Sequence, residues 1–345
     1  MIRRSRSGKG FAPRLALAAP MLVLVAVASL AGEPSPAPLE RVQTIALKGP
    51  AGGLDHLALD SRRGRLLVAN TANNSLDVVD LKAGTLLRQV PGQGRIRGIA
   101  YAPDLDRVLV GNGTGSVFNA FDGQDYGLLK HVHLGDADNV RYNPATRRIY
   151  VVHADAELAV FDADGYAARS PIPLPQSVGA FQLEAGRPRM YVNAKAAGLV
   201  MCIDTRKDEI IARFPVAPAA ENAALAIDER HHRLFVGCRR DPTQIVMDSD
   251  DGKVVARVPL PGDVDDVYFD AKRGRIYASC GDGSIAVIRR VDADRYESLA
   301  TIPTARGART SLFDEDGGRL YVAVPRRADR PPQEAPEVWI YQARP

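Results

Sequence analysis

"RLLVAN", Arg65–Asn70, is a short apolar run with a cation at its start and an amide at its end. It is one copy of seven. The pattern returns as "RVLVGN" from Arg107, "RIYVVH" from Arg148, "RMYVNA" from Arg189, "RLFVGC" from Arg233, "RIYASC" from Arg275 and "RLYVAV" from Arg319, at intervals of 42, 41, 41, 44, 42 and 44 residues. A period in the low forties built from short β runs is the mark of a β-propeller with four strands per blade.

Moving outward, each copy is preceded by a second apolar run and a tight turn, as in "LDHLALDSRRGR" and "DDVYFDAKRGR". A third run follows, and Asp80, Asp122, Asp162, Asp204 and Asp248 end five of these. There the carboxylate accepts a backbone N–H two residues on and starts a turn. A fourth run closes the unit, often with Pro, which an outer edge tolerates because no ladder bond is lost. We call these strands A to D, counting from the start of each unit. Seven A, B and C strands follow residue 52 but only six D strands; the seventh is "RVQTIAL", ahead of the first unit. The expectation is therefore an all-β, seven-bladed β-propeller over residues 40–345, four antiparallel strands per blade. Its ring is closed by the N-terminal strand pairing with "VWIYQ", which leaves no sheet edge open. The composition agrees: 46% hydrophobic residues supply a core, and 30 Gly and 24 Pro supply turns.

The first residues are a separate object. "MIRRSRSGKGFAPR" is basic without an acid, "LALAAPMLVLVAVASLA" is apolar, and "EPSPAP" ends it. Residues 1–31 read as a secretory signal peptide with Ser29 and Ala31 before the cleavage point, and residues 32–39 as a linker. Cleavage leaves no membrane span. It also removes five of the 45 basic residues, leaving 40 against 41 acids, a net charge of −1. The pI near 9.0 belongs to the leader, so overall charge does not favour nucleic acid as a partner.

In a propeller the start of strand A and the end of strand B meet at one mouth of the central channel. The A-strand starts supply Asp55, His56, Arg97, Asp138, Asn139, Gln182, Glu221, Asn222, Asp265, Asp266 and Arg309; the B-strand ends add Asn70, Asn112 and His153. These positions vary from unit to unit and are mostly charged or amide, which points to a polar ligand-binding mouth rather than a repeated turn residue. Glu221, Asn222, Asp265 and Asp266 are oxygen donors of the type Ca²⁺ takes. Two loops of the same mouth are basic, with Arg239 and Arg240, and with Arg326, Arg327 and Arg330; these read as solvated charges. Cys202, Cys238 and Cys280 read as buried thiols. There is no nucleophile elbow, no Gly-rich phosphate loop after a strand and no HExxH.

"LLVANTANNSLDVVDL" resembles the YVTN-type propeller repeat. From about residue 40 onward the chain is similar to the YncE-like bacterial envelope proteins, in "DHLALD", "DADNVRYN", "HHRLFVGC" and "DVDDVYFDAKRGRIYASCGDG" among other stretches. The resemblance implies a seven-bladed propeller located in the periplasm. The expected function is a non-catalytic binding or scaffold role, with a small polar or anionic ligand or a periplasmic protein at the charged mouth. Relatives labelled gluconolactonase make a metal-dependent lactone hydrolase the alternative, and the basic loops give nucleic-acid binding as a third.

Overall fold

The computed structural model describes residue 10 and residues 37–115, 117–153, 157–175, 177–328 and 335–345. Apart from residue 10 the leader, and most of the linker, lie outside these residues, as does Arg330. The described residues from 37 onward form seven four-stranded antiparallel sheets, six of them A-B-C-D in space as in sequence. The first blade, for example, runs Leu57–Asp60, Arg65–Asn70, Ser75–Asp80 and Thr85–Val90. The described helices are two single turns, Thr71–Asn73 and Glu229–His231. No described helix is long and apolar enough to cross a membrane.

The seventh blade closes the ring as its strand count requires. Leu39–Ala46 is its outer strand and pairs antiparallel with Glu337–Ala343, from Leu39 opposite Ala343 to Ala46 opposite Glu337. Apolar residues on both faces of the B and C strands bury themselves between neighbouring sheets. The buried residues fall into seven clusters, one at each blade–blade interface. The one between blades 7 and 1 takes Ile45 and Leu47 from the N-terminal strand and Leu57, Leu66 and Val68 from the first blade.

One strand is shorter than its sequence pattern. "ARSPIPL", Ala168 to Leu174, reads as the D strand of blade 3, yet only Ile172–Pro173 pairs, with one isolated bridge from Ala168 to Phe161. Pro171, Pro173 and Pro175 have no N–H to donate, so the ladder cannot extend.

Candidate functional site

The register of strands A and B fixes which side chains reach the channel. Asp55, Arg97, Asp138, Gly179, Ala223, Asp265 and Arg309 occupy equivalent places in the seven blades and all line one cavity of about 100 Å3. Blades 4 and 5 give Gly179 and Ala223 where the others give charge. Two cations from elsewhere serve that side: Lys195 and Arg239, each one residue past the position equivalent to Asn70, line the same cavity. The strand next to Asp138 is held close. A Cβ on Gly98 would lie 1.8 Å from the Asp138 carbonyl oxygen, so only glycine lets blade 2 approach the backbone there.

The mouth is a lattice of alternating charge. Arg97 lies 3.0 Å from Asp138, 3.4 Å from Asp136 and 3.9 Å from Asp55. Arg309 sits 2.9 Å from Asp263 and 3.1 Å from Asp265. Arg239 pairs with Asp265 and donates to the Val264 carbonyl at 2.9 Å. Lys195 is the exception: its ammonium has no ion pair or hydrogen bond from the described residues, and burial pushes its pKa down. Asn139 is buried at the same cavity and its Oδ1 accepts no hydrogen bond.

His56 forms the floor. Its Nε2 is 3.7 Å from Asp55 and 4.0 Å from Asp138, and its Nδ1 is 3.9 Å from Asp266. Burial pushes the Asp55 carboxyl up to about 7 and the Asp266 carboxyl up to about 6, against the pull of His56. Burial also opposes charge on His56, but Asp55, Asp266, Asp138 and Asp265 outweigh it and raise the imidazole above its ordinary value.

The remaining expected residues lie elsewhere. Asn70 donates to the Lys48 carbonyl at 2.9 Å and to Asp77 at 2.8 Å; Asn112 donates to Gln93 at 3.2 Å; His153 is buried with Nε2 3.2 Å from Glu157. All three B-strand ends are buried within their sheets instead of lining the cavity. Gln182 sits one ring deeper, because its strand pairs with Gln182 opposite Tyr191 and puts Gly179 at the mouth.

The expected oxygen set for a cation does not gather. Glu221 is exposed and pairs with Arg240 at 2.7 Å, whereas Asn222 donates to Asn193 and to the Leu199 carbonyl, both at 2.9 Å. Asp265 turns to Arg239 and Arg309, and Asp266 accepts the Ser311 N–H at 2.8 Å. In blades 5 and 6 the two neighbours of each pair engage different partners, so the four side chains do not converge. Among the described residues no three His, Cys, Asp or Glu side chains are grouped to hold a metal ion. Cys202, Cys238 and Cys280 are free and buried, and burial pushes their thiols up to about 11, 12 and 12, which keeps them protonated.

Sequence reasoning missed Lys195 and read Arg239 as a solvated loop charge. The signal is present in the sequence: Lys195 and Arg239 stand one residue past the B-strand ends, and a step of one exchanges the two faces of a strand.

No family model matches the chain. Among curated proteins it is similar to the uncharacterized protein YncE of Salmonella typhi, 24% identical over 193 residues, covering 54% of this chain and 53% of the relative. The match thus spans about half that relative's length. Among solved structures it is similar to the RRP9 WD40 repeats, with TM-score 0.75, 14% identity and coverage of 89% of this chain and 100% of that one. It is also similar to a structure of U3-55K (TM-score 0.74, 14% identity, 87% and 98% covered) and to Kuenenia stuttgartiensis hydrazine synthase (0.68, 16%, 80% and 94%). At such identities these three share the fold and nothing more is taken from them. The chain is a seven-bladed β-propeller protein, similar to YncE over about half of its length.

Proposed function

We propose that this YncE-like propeller is a non-catalytic binding protein of the bacterial periplasm, taking a small organic anion into the charged mouth of its channel. One observation carries the reading: Lys195 enters a lattice in which the arginines already have carboxylate partners, and it alone has none. Asp138, Asp136, Asp263 and Asp265 are taken up by Arg97, Arg239 and Arg309, and burial pushes the Asp55 carboxyl up to about 7, so Lys195 is the cation at the mouth that is left for a ligand. The carboxylates hold Arg97, Arg239 and Arg309 in place, which prepares the donors before a ligand arrives. A cavity of about 100 Å3 admits a small molecule, or a single group of a partner protein, but no folded surface. The leader sequence supports export.

Isothermal calorimetry against sugar acids, small dicarboxylates and inorganic phosphate tests the reading. A charged hydrogen bond is worth about 1.5–3 kcal/mol, so Lys195→Met should weaken the best anion by roughly 10-fold or more without changing the fold. Equal affinity in the variant, or no anion bound at all, would sink it. Cell fractionation tests the location: recovery in the cytoplasm at full length overturns export.

A further inference from the structure

Three residues beyond the mouth, strand A of every blade carries a second channel-facing position, each opposite the third residue of the recurring B strand. Blades 1, 2 and 5 place Ala58, Ala100 and Ala226 there; the other four place Arg141, Gln182, Tyr268 and Leu312. The small residues leave space that the large ones border. The result is a chamber of about 250 Å3, lined by six of these seven and further walled by Leu57, Leu59 and Ile99, with His56 between it and the mouth.

Most polar groups around this chamber are already engaged. Tyr268 donates to the Ser311 carbonyl at 2.8 Å, Gln182 donates to the Leu225 carbonyl at 3.1 Å, and Asp266 accepts from Ser311. Arg141 differs. Its one hydrogen bond goes to the carbonyl of its neighbour Val140 at 2.9 Å, and its guanidinium stacks over Phe181 at 5.5 Å. No carboxylate of the described residues lies at ion-pair distance from it, and burial pushes its pKa down. Asp266 and Asp138 attract it only from beyond ion-pair distance, so the buried guanidinium is incompletely compensated, and a bound anion relieves that cost.

We infer that this lower chamber is a second ligand site, separate from the mouth, for a small organic monoanion with an apolar body: an acid group on Arg141 and hydrocarbon against Leu57, Ile99 and Leu312. The two sites differ in kind. The mouth is polar throughout, whereas the chamber sets Arg141, with His56, Gln182 and Tyr268, against the hydrocarbon of Leu57, Leu59, Ile99 and Leu312.

Titration of the full chain with straight-chain monocarboxylates from propionate to octanoate, beside inorganic phosphate, reads the difference. Each buried methylene contributes about 0.8 kcal/mol, so affinity should rise about fourfold per carbon until the chamber is full. Arg141→Met should abolish that binding and, by removing an incompletely compensated charge, leave the melting temperature of the free protein equal or higher. Lys195→Met should leave it intact. Should Arg141→Met fail to fold, Ala58→Leu fills the chamber with the cation in place and should reject the longer acids first. Affinity independent of chain length, phosphate binding as well as octanoate, or loss on Lys195→Met with retention in Arg141→Met or Ala58→Leu would each overturn the inference. The last result would leave the mouth standing as the anion site.

Discussion

His56 has its imidazole between Asp55, Asp138 and Asp266 at 3.7–4.0 Å, too long for hydrogen bonds but close enough for strong attraction. Two opposed effects meet on one ring: burial favours the neutral form, the carboxylates favour the cation, and the cation wins. Asp55 holds its proton up to about 7 because burial outweighs the pull of His56. Both groups therefore bind protons more tightly folded than unfolded. Asp55 contributes a loss of stability as pH rises from about 4 toward 7, and His56 contributes stability present below about 6.5 that disappears above it. We expect the melting temperature to fall between pH 5 and 8, and Asp55→Asn, which removes one group and relaxes the other, to flatten that slope. A slope unchanged in the variant, measured by scanning calorimetry across that range, would show that the pair does not control it. Asp55 and His56 stand out in the sequence because a charged pair is an odd opening for a plain strand. Which of the two lines the mouth and which makes the floor is set by pairing to strand B, and composition does not carry that.

The recurring arginine at the head of strand B is legible as a pattern but not as a contact. In five blades it crosses to the turn between strands C and D, or the chain end, of the following blade: Arg65 to Tyr126 at 2.9 Å, Arg148 to Asp208 at 2.7 Å, Arg189 to Asp250 at 2.6 Å, Arg233 to Asp294 at 2.8 Å and Arg275 to the Arg344 carbonyl at 2.5 Å. A repeat unit read alone cannot reveal a bond whose partner is some sixty residues away. The turn between strands A and B adds a second clamp. Arg63 donates to Asp60 at 3.0 Å in its own blade and to Asp106 at 2.8 Å in the next, where the Tyr101 hydroxyl also donates to Asp106 at 2.8 Å. The Arg63 hydrogen bonds hold the Asp106 carboxyl down to about 2. A depressed carboxylate gives stability that is full above its ordinary value near 4 and is lost as pH falls toward 2. Asp106 has φ +53°, which Asn tolerates, so Asp106→Asn isolates the charge from the backbone. Urea unfolding should show the variant less stable by about 1–3 kcal/mol at pH 7 and the two proteins converging below pH 3. An equal deficit at both pH values would assign the loss to packing instead.

At the scale of the molecule, closure is what brings Asp55 and Arg309, at opposite ends of the repeat array, to one cavity. The count of seven A, B and C strands against six following D strands was enough to place the last one before the first blade, since a missing strand leaves an unpaired edge and an unburied face. What the count could not supply is the depth of the channel: the chamber around Arg141 depends on Ala58 and Ala100 in blades 1 and 2 facing Arg141, Gln182, Tyr268 and Leu312 in others, each alanine unremarkable alone. The closing strand does more than complete a ladder. Ile45 and Leu47 are buried between blades 7 and 1, and residues 40–46 pair with Gln342 back to Glu337. Deleting residues 40–48 exposes that strand's edge and opens the interface on which blade 1, with Asp55 and His56, rests. Losing two buried aliphatic side chains costs about 3–6 kcal/mol before the lost ladder is added, enough to lower the melting temperature by on the order of 10 °C. Adding a peptide of residues 39–48 in trans should restore part of that loss, because the vacated edge and the apolar slot remain on blade 7. A midpoint unmoved by the deletion would mean that the ring holds without its clasp, and the common mouth would then need another explanation than closure.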